Sequence, residues 1–156
     1  MAKQSAGLIL YRRRDVDGAL EFLIAHPGGP FFARKDLGAW TIPKGEYEVG
    51  EDAIATAERE FSEEIGHVAP SGPRVDLGEV RQASGKRVRA FAVEGTVDLS
   101  GAISNMFEME WPPGSGTMGR FPEVDRAEWF DAEEARLRLN PSQAEFVGRL
   151  VAQLSE

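Results

Sequence analysis

Three glutamates, Glu60, Glu63 and Glu64, recur at i, i+3 and i+4 within GEYEVGEDAIATAEREFSEEIG, the stretch from Gly45 to Gly66. A helix advances about 100° per residue, so over this stretch it gathers the three carboxylates into one narrow sector. Like charges on adjacent turns destabilise a helix. Ile54, Ala57, Phe61 and Ile65 follow at spacings of three, four and four, an apolar stripe that runs beside the acidic sector. Such a helix can pack on a sheet while its carboxylates look into the edge of a cleft. Glu51 and Asp52 suit its N-terminus, and Gly66 is a good stop. A chain that crowds acids in this way and still folds has a cation to put among them. Oxygen-only ligands favour a hard divalent ion, Mg²⁺ or Mn²⁺.

The segments around the helix read as mostly strands. Ser5 to Arg12 carries a compact apolar run, with a turn at Asp15 to Gly18 and a hairpin partner at Leu20 to Ala25. His26-Pro27-Gly28-Gly29-Pro30 breaks regular structure, and a short strand is expected around Ala39 to Ile42. Pro70 to Pro73 reads as a loop. Val75 to Ala83 and Lys86 to Val97 are expected as strands joined at Ser84-Gly85, followed by a turn at Asp98 to Gly101. Met106 to Trp111 suggests another strand, and Pro112 opens a long loop to about Val124. Ala127 to Phe130 reads as a short strand. Asp131 caps a short helix through Leu139, and Asn140-Pro141-Ser142 introduces a last amphipathic helix. The order of strands, helix, strands and helices is a mixed α/β arrangement, less regular than a doubly wound fold.

A length of 156 residues suits a single domain, here residues 1–156. The formal net charge of −8 disfavours a nucleic-acid polymer as partner. It leaves room for a small anionic ligand whose charge a metal or a local basic patch offsets. Absence of cysteine rules out disulfides and thiol catalysis and is compatible with a cytoplasmic protein. The N-terminal apolar run is too short for a signal peptide or a span, so no membrane is expected.

The order Gly, five residues, Glu, seven residues, Arg-Glu, a bulky apolar residue, one residue, Glu-Glu, one residue, Gly resembles the signature of the Nudix hydrolases. Gly45, Glu51, Arg59, Glu60, Phe61, Glu63, Glu64 and Gly66 satisfy it. The pattern ends on an apolar residue, where this chain has His67 and becomes apolar only at Val68. That departure bears on packing after the helix. The resemblance implies the Nudix fold, a mixed β-sheet sandwiched between helices. It also implies hydrolysis of a diphosphate in a nucleotide-type substrate, a nucleoside triphosphate or dinucleoside polyphosphate. Glu60 and Glu64 are then the direct metal ligands, Glu63 serves a further ion, and the Lys44 carbonyl reaches the metal. Gly45 is required for an unusual backbone angle or a close approach.

Arg59 is expected to pair with Glu51 and fix the loop-helix geometry, the alternative being phosphate contact. Trp40-Thr41-Ile42-Pro43-Lys44-Gly45 resembles the run before the motif in relatives that cleave dinucleoside polyphosphates, where Lys44 would hold a distal phosphate, the alternative being a solvent-exposed loop lysine. Lys86, Arg87 and Arg89 form a basic cluster, with Arg87 and Arg89 on one face, either over the substrate or as surface charge. An extra carboxylate from outside the motif, as general base or ligand, falls to Glu123 ahead of Glu128 and Glu110. Trp40 and Trp111 could stack a base or simply pack. His26 and His67 lack a partner at ligand-like spacing and read as structural or exposed. Substrate choice falls to the loops Gly28 to Lys35 and Trp111 to Val124. A catalytically silent nucleotide-binding domain and an acidic interaction module are the alternatives, and a homodimer stays open. Silent members lose a motif carboxylate, and this chain keeps them all.

Overall fold

The computed structural model describes residues 3–100 and 104–155. Its first strand, β1 (Gln4–Arg13), is buried from Ser5 to Tyr11 and forms the middle of the sheet. β2 (Leu20–Pro27), β3 (Lys44–Tyr47), β4 (Val75–Arg81), β5 (Arg87–Glu94) and β8 (Val124–Asp131) complete that sheet, in the order β4-β5-β1-β2-β8 with β3 also on β1. β1 and β5 run parallel; β2, β3 and β4 pair antiparallel with their neighbours. On one edge of β1, residues 10–13 pair with β2 and residues 4–7 pair with β3. β2 and β3 therefore diverge, and the signature begins in the gap between them.

Side chains alternate across each strand, so a strand buried on both faces feeds two cores. Ala6, Leu8 and Leu10 of β1, with Phe91 and Val93 of β5, pack with Ala57, Phe61 and Ile65 of α1 (Ala53–Ile65). Ile9, Tyr11, Val88 and Ala90 point the other way. They pack with Ala135 of α2 (Ala132–Arg138) and with Phe146, Val147 and Leu150 of α3 (Ala144–Leu154). A mixed sheet between helices is the expected arrangement. α1 also begins and ends as expected: the Asp52 carboxylate accepts the Ile54 N–H at 3.1 Å, and Gly66 takes the left-handed conformation at φ 83°.

The structure corrects three expectations. Ala39 to Ile42 forms no strand, only bridges at Trp40 and Thr41, and the strand lies at Lys44–Tyr47. Pro43 has no N–H to give a ladder, and the Ile42 N–H goes instead to the Gln143 side chain. The expected long loop holds a strand, β7 (Met118–Pro122), paired with β6 (Met106–Glu110) in a separate two-stranded sheet. The last strand spans eight residues, Val124–Asp131. Of the expected turn at Asp98 to Gly101, Gly101 lies outside the described residues. Among the described residues, no helix is long and apolar enough to cross a membrane.

Candidate active site

Gly45 faces Glu60 across the gap between β3 and α1. A Cβ at Gly45 would stand 2.1 Å from Glu60 Cδ and 2.3 Å from its Oε1. Close approach is thus the reason for glycine here, and a positive φ is not involved. One residue earlier, the Lys44 N–H donates to Glu64 Oε2 at 3.1 Å. β3 therefore grips the acidic flank of α1 through a bare backbone.

Glu64 is only 8% exposed. Burial, and then the Glu60 charge, push its carboxyl up to about 8, with the Lys44 N–H working against them. Burial and then Glu63 raise Glu60, with Arg59 opposing. Glu123 is raised by burial and by the charges of Glu60 and Glu63. Four carboxylates from two places in the chain thus converge: the signature helix supplies three, and the β7–β8 junction supplies Glu123. Among the described residues they form no ready-made cage of three or more ligands. They do fit a hard divalent cation, because all four offer carboxylate oxygens, Glu64 is buried, and Glu60 rests where a Cβ would have displaced it. A cavity of about 240 Å³ opens beside Glu64, Ile65, Leu99, Ser104, Val124 and Asp125.

The expected Arg59–Glu51 pair is not made. Arg59 Nη2 lies 3.5 Å from Glu60 Oε1, whereas Glu51 accepts the Glu48 N–H at 2.9 Å and closes the turn before α1. Lys44 is a strand residue, not a loop lysine, and its side chain leaves β3 on the face opposite Gly45. Burial and then the neighbouring Lys86 ammonium lower its pKa. Lys86 Nζ is itself 3.4 Å from Glu46 Oε1. Arg87 is exposed, while Arg89 lies over the Phe91 ring and pairs with Asp76 at 2.5 Å.

Of the candidate extra carboxylates, Glu110 accepts the Gly114 N–H at 2.6 Å inside its own hairpin, and Glu128 is exposed 3.8 Å from Arg126. Of these three, Glu123 is the one whose charge raises Glu64. Trp40 is fully buried, with Phe130 at 5.1 Å and His26 at 5.2 Å edge to face, so it packs and does not stack a base. Trp111 is half-buried at the end of β6. His26 is structural: Nε2 donates to the Lys35 carbonyl at 2.6 Å, and Nδ1 lies 2.8 Å from Asp125 Oδ1. His67 is half-buried after the helix stop.

Gly28, Ser104 and Asn105 also shape the site; the sequence offered Gly28 only as the edge of a substrate-reading loop, and Ser104 and Asn105 not at all. Gly28 donates its N–H to the Glu123 carbonyl, and Asn105 bonds to both Glu63 and Glu123 through its backbone. The double glycine was the visible signal for the first. Backbone contacts leave no signal for Asn105.

A family model described as NUDIX domain matches residues 1–150. The asymmetrical bis(5'-nucleosyl)-tetraphosphatase of Sus scrofa is 37% identical over 91 residues, 56% of this chain and 52% of that protein. The chain thus spans about half the length of this curated relative. Among solved structures, a C. elegans Ap4A hydrolase binary complex is similar with a TM-score of 0.65 at 20% identity, over 97% of this chain and 98% of the other. The NUDIX domain of Shewanella oneidensis NrtR, complexed with ADP ribose, is similar with a TM-score of 0.64 at 15% identity, over 99% and 89%. At such identities these two share the fold.

Proposed function

This chain belongs to the NUDIX domain family, and we propose that it is a divalent-cation-dependent pyrophosphohydrolase of nucleotides, with a dinucleoside polyphosphate as its substrate. One observation carries the reading. A buried carboxylate, Glu64, is held on the Lys44 backbone and driven up to about 8 by its burial and its acidic neighbours. A protein that keeps so costly a group, with Glu60 fitted against a bare Gly45, has a use for positive charge there.

Glu60 and Glu64 hold the cation, with Glu63 and the Lys44 carbonyl contributing. Mg²⁺ or Mn²⁺ at this place supplies neutralisation of phosphate oxygens and a bound water of lowered pKa. The chain's own residues do the rest. Arg59 holds the Glu60 carboxylate, and Glu51 closes the turn that starts the helix. Glu123 takes the proton of the attacking water, since a base is most effective when its pKa lies near the working pH and that of Glu123 is raised. Arg87 meets outer phosphates, with Arg89 beside it on β5, while the Lys44 side chain lies on the opposite face of the sheet. Trp111 offers a ring to a base. Likeness to the Sus scrofa bis(5'-nucleosyl)-tetraphosphatase favours a dinucleoside polyphosphate over a simple triphosphate. Retention of Glu60, Glu63 and Glu64 weighs against a silent domain.

The test is incubation with Ap4A, nucleoside triphosphates and other diphosphate compounds, with and without Mg²⁺ or Mn²⁺, and chromatography of the products. Cleavage of Ap4A that requires the cation, and falls by about a hundredfold or more in Glu64→Gln, is the expected result. Unchanged turnover in that variant, or tight binding without cleavage of any compound, would overturn the reading.

A further inference from the structure

Glu123 reaches the acidic cluster from outside the signature helix, so another part of the chain must fix where it stands. Among the described residues its carboxylate makes no ion pair or side-chain hydrogen bond. Its backbone, in contrast, is tied on both sides. The Glu123 N–H donates to the Asn105 carbonyl at 2.8 Å, and the Asn105 N–H donates to the Glu63 carbonyl at 2.9 Å. The Glu123 carbonyl accepts the Gly28 N–H at 3.0 Å. The next residue, Val124, donates its N–H to the Ser104 hydroxyl at 3.0 Å. One run of backbone bonds thus joins the last turn of α1, residue 105, Glu123 and the loop after β2.

Two glycines make that run possible. A Cβ at Gly28 would stand 1.9 Å from the Pro122 carbonyl oxygen, which is backbone and cannot swing aside. Gly29, at φ +93°, faces the Phe107 ring, and a Cβ there would stand 2.9 Å from its Cζ. Gly28 admits the end of β7, and Gly29 admits an aromatic ring from β6. The β2–β8 ladder shifts register between His26 and Pro27, just before this socket.

We propose that Gly28 is a positioning residue for Glu123, its missing side chain letting the Pro122–Glu123 backbone close to hydrogen-bond distance and hold the carboxylate over Glu60 and Glu63. The proposal rests on the reading of Glu123 as the group that takes the proton of the attacking water. A methyl at residue 28 pushes that backbone outward by an ångström or so, and a misplacement of about 1 Å costs on the order of a hundredfold in rate.

The experiment compares Gly28→Ala, Glu123→Gln and the double variant in the full chain. Steady-state kinetics with Ap4A and Mg²⁺ give kcat and KM. Amide hydrogen exchange by NMR, without cation or substrate, reports on the Glu123 N–H. Gly28→Ala is expected to lower kcat by about tenfold to a hundredfold with KM within about twofold, and to speed exchange at Glu123 at least about tenfold. The double variant is expected to be no slower than Glu123→Gln, because a base already removed cannot be misplaced. Wild-type kcat in Gly28→Ala beside a disabled Glu123→Gln, or losses that multiply in the double variant, overturns the proposal. Full activity in Glu123→Gln sinks the catalytic reading of Glu123 instead. Exchange then decides the placement alone: lost protection supports it and unchanged protection overturns it. If Gly28→Ala does not fold, Phe107→Ala empties the socket without adding an atom. A smaller loss of kcat and of Glu123 protection is then expected, and wild-type values for both overturn the proposal.

Discussion

Gly45 and Gly7 lie close together, on β3 and on the β1 segment that pairs with it, and both are glycine because something approaches too near for a side chain. At Gly7 a Cβ would meet the Pro43 carbonyl oxygen and Ile42 Cδ1, each at 2.6 Å. Backbone and packed core cannot yield there, so a substitution costs stability. At Gly45 the obstacle is the end of a glutamate side chain, which can rotate away. The cost then falls on whatever that carboxylate does. Gly45→Ala is therefore expected to lose only about 1 kcal/mol of stability, the low end for overpacking, while turnover falls by about a hundredfold. Thermal melts beside kcat check this, and wild-type turnover would remove Glu60 from the site. The sequence alone left open whether Gly45 serves an unusual angle or a close approach. It also led to the wrong partner for Arg59, because Glu51 is spent on the Glu48 N–H and Glu60 is the carboxylate beside it.

Elements with strong periodicity were legible, and those held by side chains or by exposed pairing were not. α1 has its stripe, its Asp52 cap and its Gly66 stop in plain sight. β7 does not: Gly119 and Pro122 interrupt it, and it pairs only with β6, away from the main sheet, with residues exposed along both strands. Burial alternates only between exposed and half-buried positions on both strands, and in β7 a glycine and a proline take two of the half-buried positions, so little of the pattern shows in its sequence. The missing strand at Ala39 to Ile42 has a different cause. Gln143, 1% exposed, accepts the Ile42 N–H at 2.9 Å and donates to Thr41 Oγ1 and Gln82 Oε1, each at 3.1 Å. One side chain just before α3 thus stands in for a ladder and ties the approach to the signature to the β4–β5 hairpin. Gln143→Ala strands a buried N–H and is expected to cost about 1–3 kcal/mol. Chemical denaturation measures it, and a loss below about half a kcal/mol would mean another group takes the bond.

For the whole molecule, the acidic cluster makes stability a function of pH and, with the proposed cation bound, of metal. In the unfolded chain the Glu64 carboxyl titrates near 4.5, and in the folded protein it is pushed up to about 8. Below 4.5 both states hold the proton and its stabilisation is complete. As pH rises towards 8 the unfolded state sheds the proton and the folded state resists, so stability falls by up to about 1.4 kcal/mol per unit. Glu60 and Glu123 are raised as well and act in the same direction. A divalent cation among these groups reverses the preference, since it binds the ionised form of the folded protein and contributes about 2.7 kcal/mol at a hundred times its Kd. The difference in melting temperature between Mg²⁺ and EDTA is therefore expected to be small near pH 5.5 and to widen towards pH 8. The net charge of −8 also disfavours the folded state as pH rises, but repulsion among surface acids is screened by salt, and burial protects Glu64 from that screening. At 0.15 M salt, Glu64→Gln should consequently flatten most of the decline seen in EDTA and narrow the response to Mg²⁺. Equal melting temperatures with Mg²⁺ and EDTA at pH 8, or an undiminished decline in Glu64→Gln, would mean that the cluster neither strains the fold nor binds the ion.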